Sequence, residues 1–283
     1  MKAHNKRIRM SKYIKPGALV KDMATMGENL VFCDENARTA DVLSIMLNKG
    51  IRRVPVSAGS TGNFSGIIST TDMLDFLGAG ERHSTFLKKK VGLDVKAGAI
   101  MHSDVRTVDR NQDVSTAIAI MLNNNVGGLP VTDKGKLVGM ISESDIVRRI
   151  KGRVGFRVEE IMRRKPFFVK ERYPVIDVAR IIVHGPYRRL PVVKEGILVG
   201  IVTPSDILKY LNKRKGLREL AKDKSPIMRA MNPNTVYTKP KSRVHEAIET
   251  MIKRHIGGLP VVECDEMDIV GILTENDIIK LLA

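Results

Sequence analysis

The sequence predicts an α/β protein made of four β-α-β-β-α units, and three observations carry that prediction. An apolar-Pro-Val triplet occurs four times, as "RRVPV" at Pro55, "GGLPV" at Pro130, "RRLPV" at Pro191 and "GGLPV" at Pro260. An aspartate follows each proline by 15 or 17 residues and closes one phrase, Gly-x-x-[Ser/Thr]-x-x-Asp, written "GIISTTD", "GMISESD", "GIVTPSD" and "GILTEND". Ahead of each proline, apolar residues recur at helical spacing, so the whole pattern is one supersecondary unit repeated.

Each unit opens on a short strand, such as "RTV" from Arg106 or "NTVYT" from Asn234. The helix template then begins 16 residues before each proline. In repeat one it reads Thr39, Val42, Leu43, Met46 and Leu47; in repeat two, Val114, Ala117, Ile118, Met121 and Leu122. Repeat three has Val175, Val178, Ala179, Ile182 and Val183, and repeat four has Val244, Ala247, Ile248, Met251 and Ile252. One apolar stripe on an otherwise polar helix marks a core-facing face. The Pro-Val segment and the following "LVGMI"-type run predict two strands, and "DIVRRI" or "DIIKLL" a closing helix. The boundaries are a basic tail at 1–17 and repeats at 18–78, 93–151, 156–212 and 225–283. A unit of about sixty residues buries little core alone, so the units must pair. The two residues before each apolar-Pro anchor alternate Arg-Arg, Gly-Gly, Arg-Arg, Gly-Gly, which predicts a duplicated two-unit module, 18–151 and 156–283.

The 283 residues are 43% apolar, ample for a buried core. Their formal charge of +17 implies attraction to something anionic: nucleotide phosphates, nucleic acid or an acidic protein. The excess lies in the N-terminal tail, "LKKK" (Leu87 to Lys90), "RRIKGRVGFR" (Arg148 to Arg157) and "NKRKGLRELAKDK" (Asn212 to Lys224), which read as solvated termini and connectors. No run of 18 apolar residues occurs and the first 15 residues have no apolar signal-peptide stretch, so the expectation is a cytoplasmic protein with no membrane partner. Cys33 and Cys264 lie far apart with no metal-ligand spacing around them and read as packing residues.

The phrase Gly-x-x-[Ser/Thr]-x-x-Asp fits a capping box that starts a helix. Capping boxes favour Glu or Gln at the last position, however, and capping requires no glycine; close approach of backbone or ligand does. A helix start also presents free amides to a phosphate, and a carboxylate one turn on can accept from a ribose diol. Ile67, Met140, Ile201 and Ile272, inside the phrases, are placed to line an adenine slot.

These four units resemble CBS domains, named after cystathionine β-synthase. Two such units form a Bateman module, and a chain of two modules is similar in plan to the γ subunit of AMP-activated protein kinase and to stand-alone archaeal proteins. The resemblance implies regulatory binding of adenosine-containing ligands, AMP, ADP, ATP or S-adenosylmethionine, in clefts between paired units, and allows a disc-like assembly. It puts the ribose acid on Asp72, Asp145, Asp206 and Asp277 and the hydroxyl on Ser69, Ser142, Thr203 and Thr274. Thr71, Ser144, Ser205 and Asn276, just before each aspartate, correspond to a further family contact. Phosphate-reaching basic pairs fall on Arg52-Arg53 and Arg188-Arg189; adenosine-touching small pairs fall on Gly127-Gly128 and Gly257-Gly258. The expected best sites join Ser69, Thr71, Asp72, Arg52 and Arg53 with Val126, Gly127 and Gly128, and Thr203, Ser205, Asp206, Arg188 and Arg189 with Ile256, Gly257 and Gly258.

The reading is therefore a non-catalytic sensor that acts on a regulated protein the sequence does not name, with packing within one chain or across a homodimer left open. The alternative is a nucleic-acid-binding regulator using the basic tail and connectors, though 4% aromatic residues leave few platforms for base stacking. An enzyme has least support. His4, His83, His102, His184, His245 and His255 are scattered, "HEAIE" at His245 lacks the second histidine of a zinc-protease helix, and "GAGERHST" at Gly78 lacks the lysine of a phosphate-binding loop.

Overall fold

A computed structural model describes residues 10–59, 62–81, 92–214, 217–263 and 267–283. The first nine residues, His4, His83, "LKKK", Lys215, Gly216 and Cys264 lie outside the described residues. The chain begins with α1 (Val20–Met23) and β1 (Thr25–Met26). Repeat one follows as β2 (Cys33–Asp34), α2 (Thr39–Lys49), β3 (Arg53–Ala58), β4 (Asn63–Ser69) and α3 (Thr70–Leu74). A short α4 (Ala97–Ile100) leads into repeat two, β5 (Val108–Asp109), α5 (Val114–Asn123), β6 (Gly128–Asp133), β7 (Lys136–Ser142) and α6 (Glu143–Val147). Next, β8 (Arg163–Arg164) leads into β9 (Val169–Lys170), α7 (Val175–His184), β10 (Leu190–Lys194), β11 (Ile197–Val202) and α8 (Pro204–Lys213). Repeat four consists of α9 (Val244–Arg254), β12 (Gly258–Glu263), β13 (Asp268–Thr274) and α10 (Glu275–Lys280). The strand expected at "NTVYT" shrinks to one bridge, Thr238 to Val261. Pro240, two residues on, has no N–H with which to extend a ladder.

In all four helix templates the first four residues are buried and the fifth, Leu47, Leu122, Val183 or Ile252, is half-buried, and the repeats assemble into two compact units. One, here the odd unit, comprises Val31–Val105 and Phe167–Thr235, and so holds repeats one and three. Its core joins Val42, Met46, Ile68 and Met73 to Val178, Ile182, Ile207 and Leu211. The even unit comprises the described part of Met1–Leu30 with Arg106–Pro166 and Val236–Ala283, and holds repeats two and four. Its core joins Val114, Ile118, Met121 and Ile146 to Val244, Ile248, Met251 and Ile278. The units thus cut across the sequence modules, each taking one repeat from each half of the chain. Residues 10–14 also depart from a solvated tail: Tyr13 and Ile14 are buried in the even core, and the Tyr13 carbonyl accepts from the Lys151 amide at 2.8 Å.

Each repeat is built round an antiparallel hairpin with a register shift just after the Pro-Val step. On its far side the hairpin receives a lead-in segment that precedes the neighbouring repeat in the chain. Thr25 pairs with Met140, His102 with Ile67, Asn232 with Ile201 and Arg163 with Ile272. Ile67 and His102 exchange both backbone hydrogen bonds, each 2.9 Å, and Ile201 and Asn232 do the same at 3.1 and 2.8 Å. A residue whose N–H and C=O both point to the lead-in makes no ladder bond to the other strand. The residues opposite on that other strand are Pro55, Pro130, Pro191 and Pro260, so the repeated proline stands where no N–H is called for.

The repeated glycine has a related cause. A Cβ on Gly66 would fall on the Met101 sulfur and the His102 carbonyl. One on Gly200 would fall on the Met231 sulfur and come within 3.1 Å of the Asn232 carbonyl. Gly271 meets Met162 and Arg163 in the same way, and Gly139 meets Met26 and Thr25. The glycine therefore admits a close backbone approach, the need that capping alone left unexplained.

Gly200→Ala and Gly271→Ala should each lower stability by about 1–3 kcal/mol in urea unfolding, because the lead-in must shift to make room. Gly155→Ala, where nothing lies within 4 Å of the added carbon, should cost little. Equal effects at all three would refute the close-packing account.

Candidate functional site

All four phrases turn from strand to helix at the hydroxyl, and each forms a reciprocal cap. In repeat one, Asp72 Oδ2 accepts from the Ser69 amide and hydroxyl, both at 2.7 Å, while the Asp72 amide donates back to Ser69 Oγ at 3.2 Å. Asp145 Oδ2 accepts from Ser142 at 2.8 and 2.6 Å, Asp206 Oδ2 from Thr203 at 2.9 and 2.6 Å, and Asp277 Oδ2 from Thr274 at 3.0 and 2.6 Å. The cap therefore uses one carboxylate oxygen and leaves Oδ1 for something else.

What meets Oδ1 differs between repeats. His102 Nε2 lies 2.7 Å from Asp72 Oδ1. Arg163 donates from Nε to Asp277 Oδ1 at 3.0 Å and from Nη2 to Asn276 Oδ1 at 3.2 Å, so one guanidinium takes both expected ligand groups of repeat four. At the equivalent lead-in positions of the other two hairpins stand Thr25 and Asn232, and among the described residues the hydrogen bonds of Asp145 and Asp206 are those of their caps. Exposure follows the same division: Asp72 and Asp277 are 8% and 5% exposed, whereas Asp145 and Asp206 are only half-buried.

Ionisation differs too. Burial pushes the Asp72 carboxyl up, but the hydrogen bond and charge of His102, with the Ser69 bonds, outweigh it and hold the group below the usual carboxylate range. At Asp206 burial prevails over the Thr203 bonds and the charges of Lys209 and Arg189, and the carboxyl is raised.

The residue pairs before each proline flank the helix start of their own repeat. Arg53 pairs with Ser69, Gly128 with Ser142 and Gly258 with Thr274. The carbonyls of Arg52, Gly127 and Gly257 accept from the amides of Thr70, Glu143 and Glu275 at 3.0, 3.3 and 3.1 Å. Arg188 and Arg189 precede β10, and the Arg189 charge acts on Asp206. Both arginine pairs thus belong to the odd unit, and both glycine pairs, with Val126 and Ile256, to the even unit. In the even unit the two helix starts also grip each other. Ser144 Oγ donates to Glu275 Oε1 at 2.5 Å and Asn276 Nδ2 to Glu143 Oε1 at 2.8 Å. The odd unit has the uncharged Thr70 and Pro204 where the even unit has these two glutamates, so those positions are acidic only in the even unit.

Within the odd unit the expected residues Ile67, Ser69, Thr71 and Asp72 come from β4 and α3, and Ile201, Thr203, Ser205 and Asp206 from β11 and α8. Within the even unit Met140, Ser142, Ser144 and Asp145 lie along β7 and α6, and Ile272, Thr274, Asn276 and Asp277 along β13 and α10. Sequence reasoning passed over His102 and Arg163. The signal was present: "IMHSD", "IMRRK" and "AMNPN" place a methionine just before His102, Arg163 and Asn232, a fourth recurring phrase that puts these residues in register.

Other chemistry is thinly represented. Among the described residues no group of three or more His, Cys, Asp or Glu could hold a metal ion, and no helix is long and apolar enough to cross a membrane. Burial, with Asp34 beside it, pushes the Cys33 thiol up to about 11, which suits packing rather than nucleophilic attack.

Comparison with known proteins adds the family context. A model of the CBS domain matches four times, at residues 20–79, 97–152, 158–213 and 225–283. The chain is 30% identical over 257 residues to protein MJ1225 of Methanocaldococcus jannaschii, covering 85% of this chain and 91% of that one. The crystal structure of MJ1225, presented as a candidate archaeal homologue of g-AMPK, superposes with a TM-score of 0.86 over 94% of this chain and all of that one, at 28% identity. A conserved protein from Pyrococcus horikoshii aligns over 94% of this chain and all of its own, with a TM-score of 0.62 and 25% identity.

The two carboxylates should respond oppositely to neutralisation. Asp72 has a depressed folded-state pKa, so its contribution is present above the unfolded value of about 3.9 and disappears as pH falls through the folded one. Asp206 has a raised value, so its ionised form opposes folding at neutral pH, and that penalty is relieved as pH falls through the folded pKa. At pH 7 Asp72→Asn should therefore lower stability by about 1 kcal/mol, whereas Asp206→Asn should be neutral or stabilising. Urea unfolding at pH 7 and pH 4 measures both, and the same sign for the two substitutions at pH 7 would contradict the assignment.

Proposed function

The chain belongs to the CBS domain family, and from that premise we propose that it is a non-catalytic regulatory sensor of adenosine-containing ligands. The observation that carries the reading is the surroundings of Asp206. Its carboxylate is half-buried, one oxygen is used by the cap, and Arg189 acts on it electrostatically. A ribose diol offers two donors to such a carboxylate. A phosphate on the same nucleoside suits guanidinium groups, which match it with paired N–H donors, and Arg188 and Arg189 supply two. Thr203 caps α8, and the positive end of that helix's dipole favours an anion, although Pro204 at its first position has no N–H to offer.

The arginine pairs favour a phosphorylated ligand, AMP, ADP or ATP, over S-adenosylmethionine, whose sulfonium is itself a cation. The acidic helix starts of the even unit, with Glu143 and Glu275, repel phosphate, so the sites of repeats two and four rank below those of repeats one and three. The likeness of MJ1225 to g-AMPK supports the same nucleotide class. In this reading the ligand changes how the repeats pack and so alters the activity of a partner protein.

Calorimetry of the full chain with AMP, ADP, ATP and S-adenosylmethionine tests the proposal. The nucleotides should bind more tightly than S-adenosylmethionine, and Asp206→Ala should weaken AMP binding about 10- to 100-fold. A thermal-shift series should give a higher unfolding temperature with the same ligands. Absence of binding by all four would reject the sensor role.

A further inference from the structure

Resting on the nucleotide reading, we infer that the lead-in side chain opposite the adenine-lining residue decides which of the four carboxylates is available to a ligand, with His102 and Arg163 closing two of them. The four positions are equivalent by backbone register, His102 opposite Ile67, Thr25 opposite Met140, Asn232 opposite Ile201 and Arg163 opposite Ile272. Only two of these residues can carry a positive charge, and those two reach Oδ1 of the aspartate in the phrase they pair with, at 2.7 Å from His102 and 3.0 Å from Arg163. Since the cap already holds Oδ2, a ribose diol at Asp72 or Asp277 has to displace the His102 ring or the Arg163 guanidinium, or share the oxygen with it.

The closure is graded. His102 meets Asp72 Oδ1 through one ring nitrogen and its side chain is 49% exposed, so this contact lies at the surface end of the carboxylate. Arg163 spans Asp277 and Asn276 together, so opening repeat four breaks two hydrogen bonds from one guanidinium, while Asn276 stays tied to Glu143. Asn232 turns its own side chain to the Asn234 amide at 3.0 Å, away from this role, and leaves Asp206 accessible. Asp145 is accessible too, but it has no arginine pair and lies in the unit where Glu143 and Glu275 head the helices. The sites of repeats one and three, alike in their arginines, therefore differ in their lead-ins. AMP should occupy the Asp206 site first and the Asp72 site second.

The test exchanges the lead-in residues between hairpins and titrates the full chain with AMP by calorimetry, with unfolding temperatures showing that each variant is folded. His102→Asn gives the hairpin of repeat one the residue that repeat three uses, and should tighten the weaker AMP site about five- to tenfold. Asn232→His, the reverse exchange, should weaken the tighter site by a similar factor. Arg163→Asn should leave both unchanged or add a further weak site. If Asp206→Ala abolishes the tight AMP site of the wild type while His102→Asn and Asn232→His change nothing, the gating is wrong and the sensor reading survives. If neither the wild type nor any variant binds AMP, ADP, ATP or S-adenosylmethionine, both fall. A variant that has lost its unfolding transition is replaced by Asn232→Arg, for which a wild-type affinity at the tighter site would overturn the inference.

Discussion

The contact on which this architecture turns is the approach of a lead-in backbone to a glycine in the second strand of each hairpin. Gly66, Gly139, Gly200 and Gly271 have no Cβ, so a carbonyl and a methionine sulfur from a segment belonging to another repeat can lie against them. That approach aligns the next residue of the hairpin with the lead-in residue, and there the two strands exchange backbone hydrogen bonds. The proline on the opposite strand follows, because the aligned residue has spent its N–H and C=O on the lead-in. Glycine, proline and methionine are thus three marks of one packing event.

The same event sets the chemistry. A capping box is a local device, and in all four repeats it fixes one carboxylate oxygen in nearly the same way. The second oxygen is governed by whatever the lead-in brings, which is a long-range matter. His102 and Arg163 sit thirty and 114 residues from the aspartates they meet. Local geometry makes the four phrases equivalent, and the lead-ins make them different.

Pairing between repeats adds a second layer of difference. Helices of repeats one and three share one core, and those of two and four share the other, so each core unites residues from the two halves of the chain. The arginine pairs consequently fall together in one unit and the glycine pairs in the other. In the unit with glycines the helix starts are held by Glu143 and Glu275, which give Ser144 and Asn276 structural partners. A residue type that matches a ligand contact in one repeat can thus serve to join helices in another.

Much was legible from the chain alone. The helix stripes at Thr39, Val114, Val175 and Val244, the hairpins round each Pro-Val step and the caps at Ser69, Ser142, Thr203 and Thr274 all depend on neighbours within about twenty residues, and short-range periodicity and capping chemistry express them directly. The reason for the repeated glycine was half visible, as a demand for close approach without a named neighbour. The sharing of one core by repeats one and three, and the meeting of His102 with Asp72 and Arg163 with Asp277, were decided only by the tertiary structure. The physical reason is that a cation finds a carboxylate through space, and the chain separation between them carries no periodic signature. Sequence determined the unit and its four copies; folding determined which carboxylates the copies leave accessible.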